Sequence, residues 1–196
     1  MNNYENVRHI DMTANPAPLG LLGFGMTTIL LNLANAGIIS LSSVIMAMGI
    51  FVGGMAQVIV GIMEWKKNNT FGTVAFTGYG FFWIALVATW ILPRLGLADA
   101  SDETAIGYFL ILWGLFTFGM FIGTLKLNKA LQVVFGSLVL LFFLLAIADF
   151  TGSAIIKQIA GFEGIICGLC ALYACMAQIL NEIYGKTIMP LGLVKN

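Results

Sequence analysis

The stretch Asn15-Pro-Ala-Pro-Leu-Gly-Leu-Leu-Gly-Phe-Gly25 stands at the mouth of a long apolar run and decides how the chain is read. It holds two prolines, Pro16 and Pro18, and three glycines, Gly20, Gly23 and Gly25. Inside a helix in water, glycine costs ~1 kcal/mol and proline ~3 kcal/mol relative to alanine. Both are tolerated in a first turn, whose N–H groups have no internal partner. Asn15 is a suitable cap, because its side-chain oxygen accepts from a backbone N–H. The stretch therefore reads as the sharp start of a helix, with glycines that admit close neighbours.

Composition says which solvent that helix meets. Apolar residues make up 60% of the chain, charged residues 9%, and mean hydropathy is +0.97. A soluble domain averages about 25% charged residues. Lipid is the expected solvent. Net charge is zero, so no nucleic-acid partner is implied. The opening MNNYENVRHIDMTAN is polar and lacks the apolar core of a cleaved secretory signal, so the first apolar span is expected to direct insertion.

A bilayer-crossing helix needs roughly 20 mainly apolar residues. Six stretches qualify, at about 18–36, 41–63, 71–92, 105–125, 130–148 and 156–181. They predict an all-α polytopic membrane protein, a bundle of six transmembrane helices. Residues 1–14 and 186–196 are tails around a single membrane domain, 15–185. No lysine or arginine lies in the middle of any span. One side carries Arg8, Lys66, Lys67, Lys126, Lys129, Lys186 and Lys195; the other carries Arg94 and Lys157. That asymmetry places both termini in the cytoplasm. Trp65 and Trp90 fall near span ends, where interfacial anchors belong.

Glycine pairs at close-packing intervals, Gly49/Gly53, Gly119/Gly123 and Gly164/Gly168, predict tight helix contacts. In span six, Glu163, Cys167, Cys170, Ala174, Gln178 and Asn181 are spaced 4, 3, 4, 4 and 3, one helical face. A polar stripe on a membrane helix faces protein or a water-filled route, and Glu163 is its most expensive member. It reads equally as a hydrated residue near the outer interface. Span one offers Phe24, Thr27 or Thr28, Leu31 and Asn35 on a similar face, span two Gln57, and span three Thr73, Thr77 and Tyr79. Cys167-Gly-Leu-Cys170 has CxxC spacing, yet lies mid-span without a second cysteine pair, and the sole histidine, His9, is in the tail. Small apolar packing accounts for these cysteines. No Ser-His-Asp set, phosphate loop or HExxH occurs, so neither an enzyme nor a cofactor or metal is expected. Asn15-Pro16-Ala17 occurs once and at the start of a full span, which sets aside an aquaporin.

Asn15-Pro-Ala-Pro-Leu-Gly-Leu-Leu-Gly-Phe24 resembles the defining motif of the acetate uptake transporter family, which includes the bacterial succinate–acetate permeases. The resemblance runs over nearly the whole chain. It continues in FTGYGFFW (Phe76 to Trp83), FIGTLKLNKALQ (Phe121 to Gln132), LLFFLLAI (Leu140 to Ile147) and LYACMAQILNE (Leu172 to Glu182). Phe81 departs from the pattern, which has a small residue there. The resemblance implies a homohexamer in the cell (inner) membrane, with a path for acetate and succinate, and for protons, through each protomer. It implies an apolar constriction of Phe24, Tyr79 and Leu138. Further pathway candidates are Asn15, Thr27, Asn35, Gln57, Glu163, Ala171, Gln178 and Asn181. Proton-coupled symport and a carboxylate channel both fit.

The spans hold no cation to compensate a bare carboxylate, so passage as the neutral acid, or as anion plus proton, is expected. Glu163, Glu182 and Asp149 are the candidate proton carriers. The first-turn N–H groups behind Asn15 offer a resting place for a carboxylate. The alternatives are a urea or short-amide channel of similar architecture, and a membrane scaffold.

Overall fold

A computed structural model describes residues 13–194; Arg8, His9 and Lys195 lie outside the described residues. The described chain forms six helices, each long and apolar enough to cross a membrane. They are α1 (Ala17–Asn35), α2 (Ser43–Lys66), α3 (Thr70–Arg94), α4 (Glu103–Thr124), α5 (Lys129–Thr151) and α6 (Ala154–Tyr184). No strand is found among the described residues.

The helix starts follow from local chemistry. Asn15 Oδ1 accepts from the Ala17 N–H at 3.1 Å, Pro16 is the cap residue, and Pro18 falls in the first turn. Asn69, Asp102 and Asn128 cap α3, α4 and α5 through the N–H groups of Gly72, Ala105 and Leu131. α5 ends on Gly152 and α6 on Gly185, at φ 62° and 60°, a conformation glycine reaches without strain. Only Gly152 and Ser153 separate α5 from α6, so the two must run antiparallel. The helices overrun the expected spans by up to three residues where polar ends such as Lys66 and Arg94 stay helical. α2 instead starts two residues late, at Ser43.

α2 is irregular. Its stretch Met48–Ala56 is a π-helix, a wide form rare beyond a single turn. Gly49 and Gly53 let α3 come close: a Cβ on Gly53 would lie 2.9 Å from Trp83 and from Thr27 of α1. The tightest seam joins α1 and α6. A Cβ on Gly25 would lie 2.8 Å from the Gly168 carbonyl oxygen, and one on Gly168 2.7 Å from that of Gly25. Gly164 lies under Asn32 in the same seam. Gly119 meets nothing within 4 Å, whereas a Cβ on Gly123 would lie 3.2 Å from the Phe71 ring of α3, so only Gly123 of that pair packs against another span.

Large apolar side chains cover the outside, among them Phe51, Leu112, Phe118, Ile155, Ile166 and Leu169. A soluble monomer rarely exposes such continuous faces. The protein is a multi-pass membrane protein. The expectation for Trp90 needs correction: it packs against the core and lines a cavity, because its rotational position on α3 faces the bundle. Trp65 is exposed.

The C-terminal residues fold back on the bundle. Asn181 Oδ1 accepts from the Ile188 and Met189 N–H groups, and its Nδ2 donates to the Met189 carbonyl. Leu193 then pairs with Asn128 in an antiparallel bridge. Lys67 Nζ donates to the Thr13 carbonyl at 2.9 Å. Both described chain ends thus lie at one end of the bundle, beside the α2–α3 and α4–α5 connections.

Candidate functional site

Two cavities enter the bundle from opposite ends. The first, of about 290 Å³, opens at the end that bears the described termini. Asn15, Asn69, Asn128 and Leu191 line its outer part. The second, of about 220 Å³, opens at the other end, where Glu103, Asp149 and Lys157 stand. Phe24 and Leu138 line both cavities and are what lies between them. Tyr79 lines the first beside them.

Local sequence explains how this divider is held. Phe24 lies between Gly23, which packs on the Val52 carbonyl of the π stretch, and Gly25, which packs on Gly168. α1 is therefore pressed against α2 and α6 on its glycine sides, and Phe24 is left to project between them. The Tyr79 ring centroid is 6.1 Å from that of Phe24 and 6.0 Å from that of Phe135. The Tyr79 hydroxyl donates to Thr117 Oγ1 at 2.9 Å, and Thr117 donates to the Trp113 carbonyl at 2.7 Å. Phe24, Tyr79 and Leu138 are 7%, 4% and 4% exposed. Phe81 points out of the bundle, so the departure from the family pattern leaves the Tyr79 surroundings untouched.

Polar groups flank this apolar waist on both sides. In the first cavity Asn15 Nδ2 donates to Gln178 Oε1 at 2.9 Å. Gln57 Nε2 donates to the Gly53 carbonyl at 2.7 Å, and Asn69 Nδ2 donates to Glu64 Oε2 at 2.7 Å. Gln57 Oε1 and Glu64 Oε1 have no partner in the protein. In the second cavity Asn35 donates to Asn32, whose own amide donates to the Thr28 carbonyl. The Thr28 hydroxyl and the Trp83 indole nitrogen have no partner there. Leaving such a group unsatisfied costs about 1–3 kcal/mol, and all four atoms belong to residues that line one of the two cavities. At its mouth Lys157 and Asp149 form an ion pair of 3.4 Å. Among the described residues no lysine or arginine lines the first cavity.

The expected site residues fall into two groups. Phe24, Tyr79 and Leu138 come together at the waist; Asn15, Gln57 and Gln178 line the first cavity and Asn35 the second. Thr27, Glu163, Ala171 and Asn181 line neither. Thr27 donates to the Met48 carbonyl at 3.4 Å and ties α1 to the π stretch. Ala171 is fully buried in packing, and Asn181 clasps the C-terminal segment. Glu163 is half-buried, with Oε2 unpartnered, roughly 14 Å along α6 by helix rise. One turn on, Cys167 Sγ donates to the Val134 carbonyl of α5. The polar stripe of α6 is thus a seam, facing α5 at Cys167 and α1 at Gln178, rather than one continuous wet face. Among the proton-carrier candidates, Asp149 lines the second cavity and Glu182 is exposed. The three cysteines are free, and no metal-binding group of His, Cys, Asp or Glu occurs among the described residues.

Sequence reasoning missed Glu64, Asn69, Asn128 and Trp83 as lining residues. The signal for Glu64 was its position one residue past an expected span end, followed by Trp65 and two lysines, which reads as a membrane surface. Helix α2 runs on to Lys66 and carries Glu64 back beneath α3.

Known proteins resemble this chain in sequence and in fold. The chain is 56% identical over 179 residues to the "Succinate-acetate/proton symporter SatP" of Escherichia coli (strain K12), covering 91% of this chain and 95% of that one. It is 38% identical to the "Ammonia transport outward protein 2" of Saccharomyces cerevisiae, covering 86% of this chain and 62% of that one. A solved structure described as the bacterial acetate channel SatP superposes with a TM-score of 0.91 at 56% identity, over 92% of this chain and 99% of that chain. Residues 2–191 match the family described as GPR1/FUN34/yaaH, and the chain belongs to that family.

Proposed function

We propose that the protein carries acetate and succinate across the cell inner membrane, together with protons or as the neutral acid, along a path through each protomer. The observation that carries this reading is the pair of polar-flanked cavities parted by Phe24 and Leu138, with Tyr79 beside them. The names of the relatives, a succinate–acetate/proton symporter and an acetate channel, support the same substrates. The distribution of lysine and arginine supports cytoplasmic termini. The broad apolar outer faces, with the unpartnered Gly119 among them, are consistent with a homohexamer. Transport rather than catalysis is the chemistry such a waist performs.

Physical chemistry favours passage without net charge. A small carboxylic acid titrates at roughly 4.3, so protonating it at pH 7 costs about 3.7 kcal/mol, at 1.36 kcal/mol per unit. An ion taken into an apolar surround without a partner costs several kcal/mol. The waist holds only rings and an aliphatic side chain, so the neutral route is at least as cheap. The residues then have simple roles: amides and hydroxyls on either side replace part of the hydration shell, and Phe24, Tyr79 and Leu138 exclude water and ions.

The test is labelled acetate uptake into proteoliposomes, with and without an inward proton gradient, corrected for protein-free vesicles. Accumulation driven by the gradient establishes coupling; equilibration without accumulation establishes a channel. Failure of acetate to pass, with urea passing freely, would reject the substrate class in favour of a short-amide channel.

A further inference from the structure

The two cavities differ in what their unpartnered polar atoms need. In the second cavity these atoms belong to groups that donate, the Thr28 hydroxyl and the Trp83 N–H. In the first cavity both are acceptors, Gln57 Oε1 and Glu64 Oε1. Gln57 and Glu64 are 1% and 2% exposed and stand seven residues apart on α2, hence on one face. Each is fixed by its other terminal atom, Gln57 through the Gly53 carbonyl and Glu64 through the Asn69 amide. The Glu64 carboxylate lies over Gly72, where a Cβ would approach its Cγ and Cδ to 2.9 Å. Glycine leaves it that space. Two fixed acceptors without a protein partner are met by water or by a ligand that brings hydrogen to donate. An ionised carboxylate has none; an undissociated acid has one.

We infer that Gln57 and Glu64 form a subsite in the first cavity that takes the carboxylic acid in its undissociated form and turns away its anion. The inference rests on the carboxylic-acid transport proposed above. The acid O–H donates to Glu64 Oε1 or Gln57 Oε1, and the amides of Asn15, Asn69 and Asn128 surround the same space. Among the described residues no lysine, arginine, aspartate or histidine lines the cavity, and Tyr79 is the one further titratable side chain there. α3 presents Asn69 and Gly72, α5 presents Leu131, the α4–α5 link Asn128, the C-terminal segment Leu191 and the approach to α1 Asn15, all uncharged. Lys66 and Lys67 follow Glu64 in the chain without lining the cavity, and Lys67 donates to Thr13.

The experiment compares acetate uptake by wild type, E64Q and E64D in proteoliposomes at pH 5.5 and 7.5, at fixed total acetate and corrected for protein-free vesicles. Over those two units the undissociated fraction falls about 100-fold. Wild-type uptake is expected to fall with it, and E64Q to flatten that fall at least tenfold by admitting the anion. E64D keeps the carboxyl group, and whatever its overall rate, the ratio of its uptake at the two pH values is expected to follow wild type. A purely structural role reverses the order: Gln preserves the volume over Gly72 and still accepts from Asn69, whereas Asp is too short. Equal pH profiles in wild type and a well-folded E64Q overturn the inference and leave transport standing. Absence of wild-type uptake at both pH values rejects the transport reading itself. If E64Q does not fold, competition against wild type at pH 5.5 decides. Acetamide, a neutral isostere with N–H donors, is expected to inhibit. Inhibition by methylammonium and not by acetamide would make this a cation site and overturn the inference.

Discussion

Phe24→Ala removes the ring that stands between the two cavities and should change which acids pass. With the ring gone, Leu138 is the one remaining side chain shared by the linings of the two cavities, of about 290 and 220 Å³, and the barrier between them is reduced. A solute one carbon and one hydroxyl larger than acetate, such as lactate, must displace Phe24 in the intact waist. Forcing extra atoms into a packed apolar site costs typically about 1–3 kcal/mol. At 1.36 kcal/mol per decade, relief of that cost raises the lactate-to-acetate flux ratio by roughly 5- to 150-fold. The variant also loses core packing, an upper bound of about 3–5 kcal/mol for Phe→Ala, so a thermal-stability control accompanies the measurement. The assay is parallel lactate and acetate uptake into proteoliposomes, normalised to folded protein. A ratio unchanged within twofold in a folded variant would refute the reasoning, because Phe24 would then not limit the path.

Three further outcomes follow from the same geometry. Tyr79→Phe removes one hydrogen bond to Thr117, which keeps its own bond to Trp113; a loss of about 0.5–1.5 kcal/mol in thermal unfolding is expected, with acetate uptake retained, since the ring is what bounds the path. Gly168→Val drives a side chain into the Gly25 carbonyl and should abolish folded protein by size-exclusion chromatography, while Gly119→Ala, with nothing within 4 Å, should leave the protomer's fold intact. Asn181→Ala removes three hydrogen bonds to Ile188 and Met189 and should free the C-terminal segment, read as faster tryptic cleavage at Lys186.

Membrane architecture was legible because it rests on long-range composition. Six apolar runs with lysine and arginine only near or beyond their ends leave few other folds open, and the observed helices end within three residues of expectation. The waist was legible for a different reason: its three residues came through a motif, not through periodicity. Physics in the sequence alone explains why Asn15 and the prolines begin α1 and why glycines surround Phe24, but not that Leu138 of α5 meets them. Where reading stopped short, the cause was local. Trp90 looked like an interfacial anchor because amphipathic position was judged from distance to the span end; helical rotation decided that it faces the cavity. Glu64 was hidden by the adjacent lysines. The stripe of α6 is geometrically real, yet a face that wide meets two neighbours, so Cys167 packs on α5 while Gln178 bonds Asn15, just ahead of α1. The π stretch of α2 left no mark beyond its glycines, since Met48–Ala56 has the composition of any apolar span.

The central claim is that solute passes within the protomer, between Phe24, Tyr79 and Leu138. Leu138→Trp tests it most directly by filling the waist. Acetate uptake by the folded variant in proteoliposomes is predicted to fall to the level of protein-free vesicles. Uptake undiminished from wild type, with the fold intact by size exclusion and thermal unfolding, would place the route elsewhere and contradict the account.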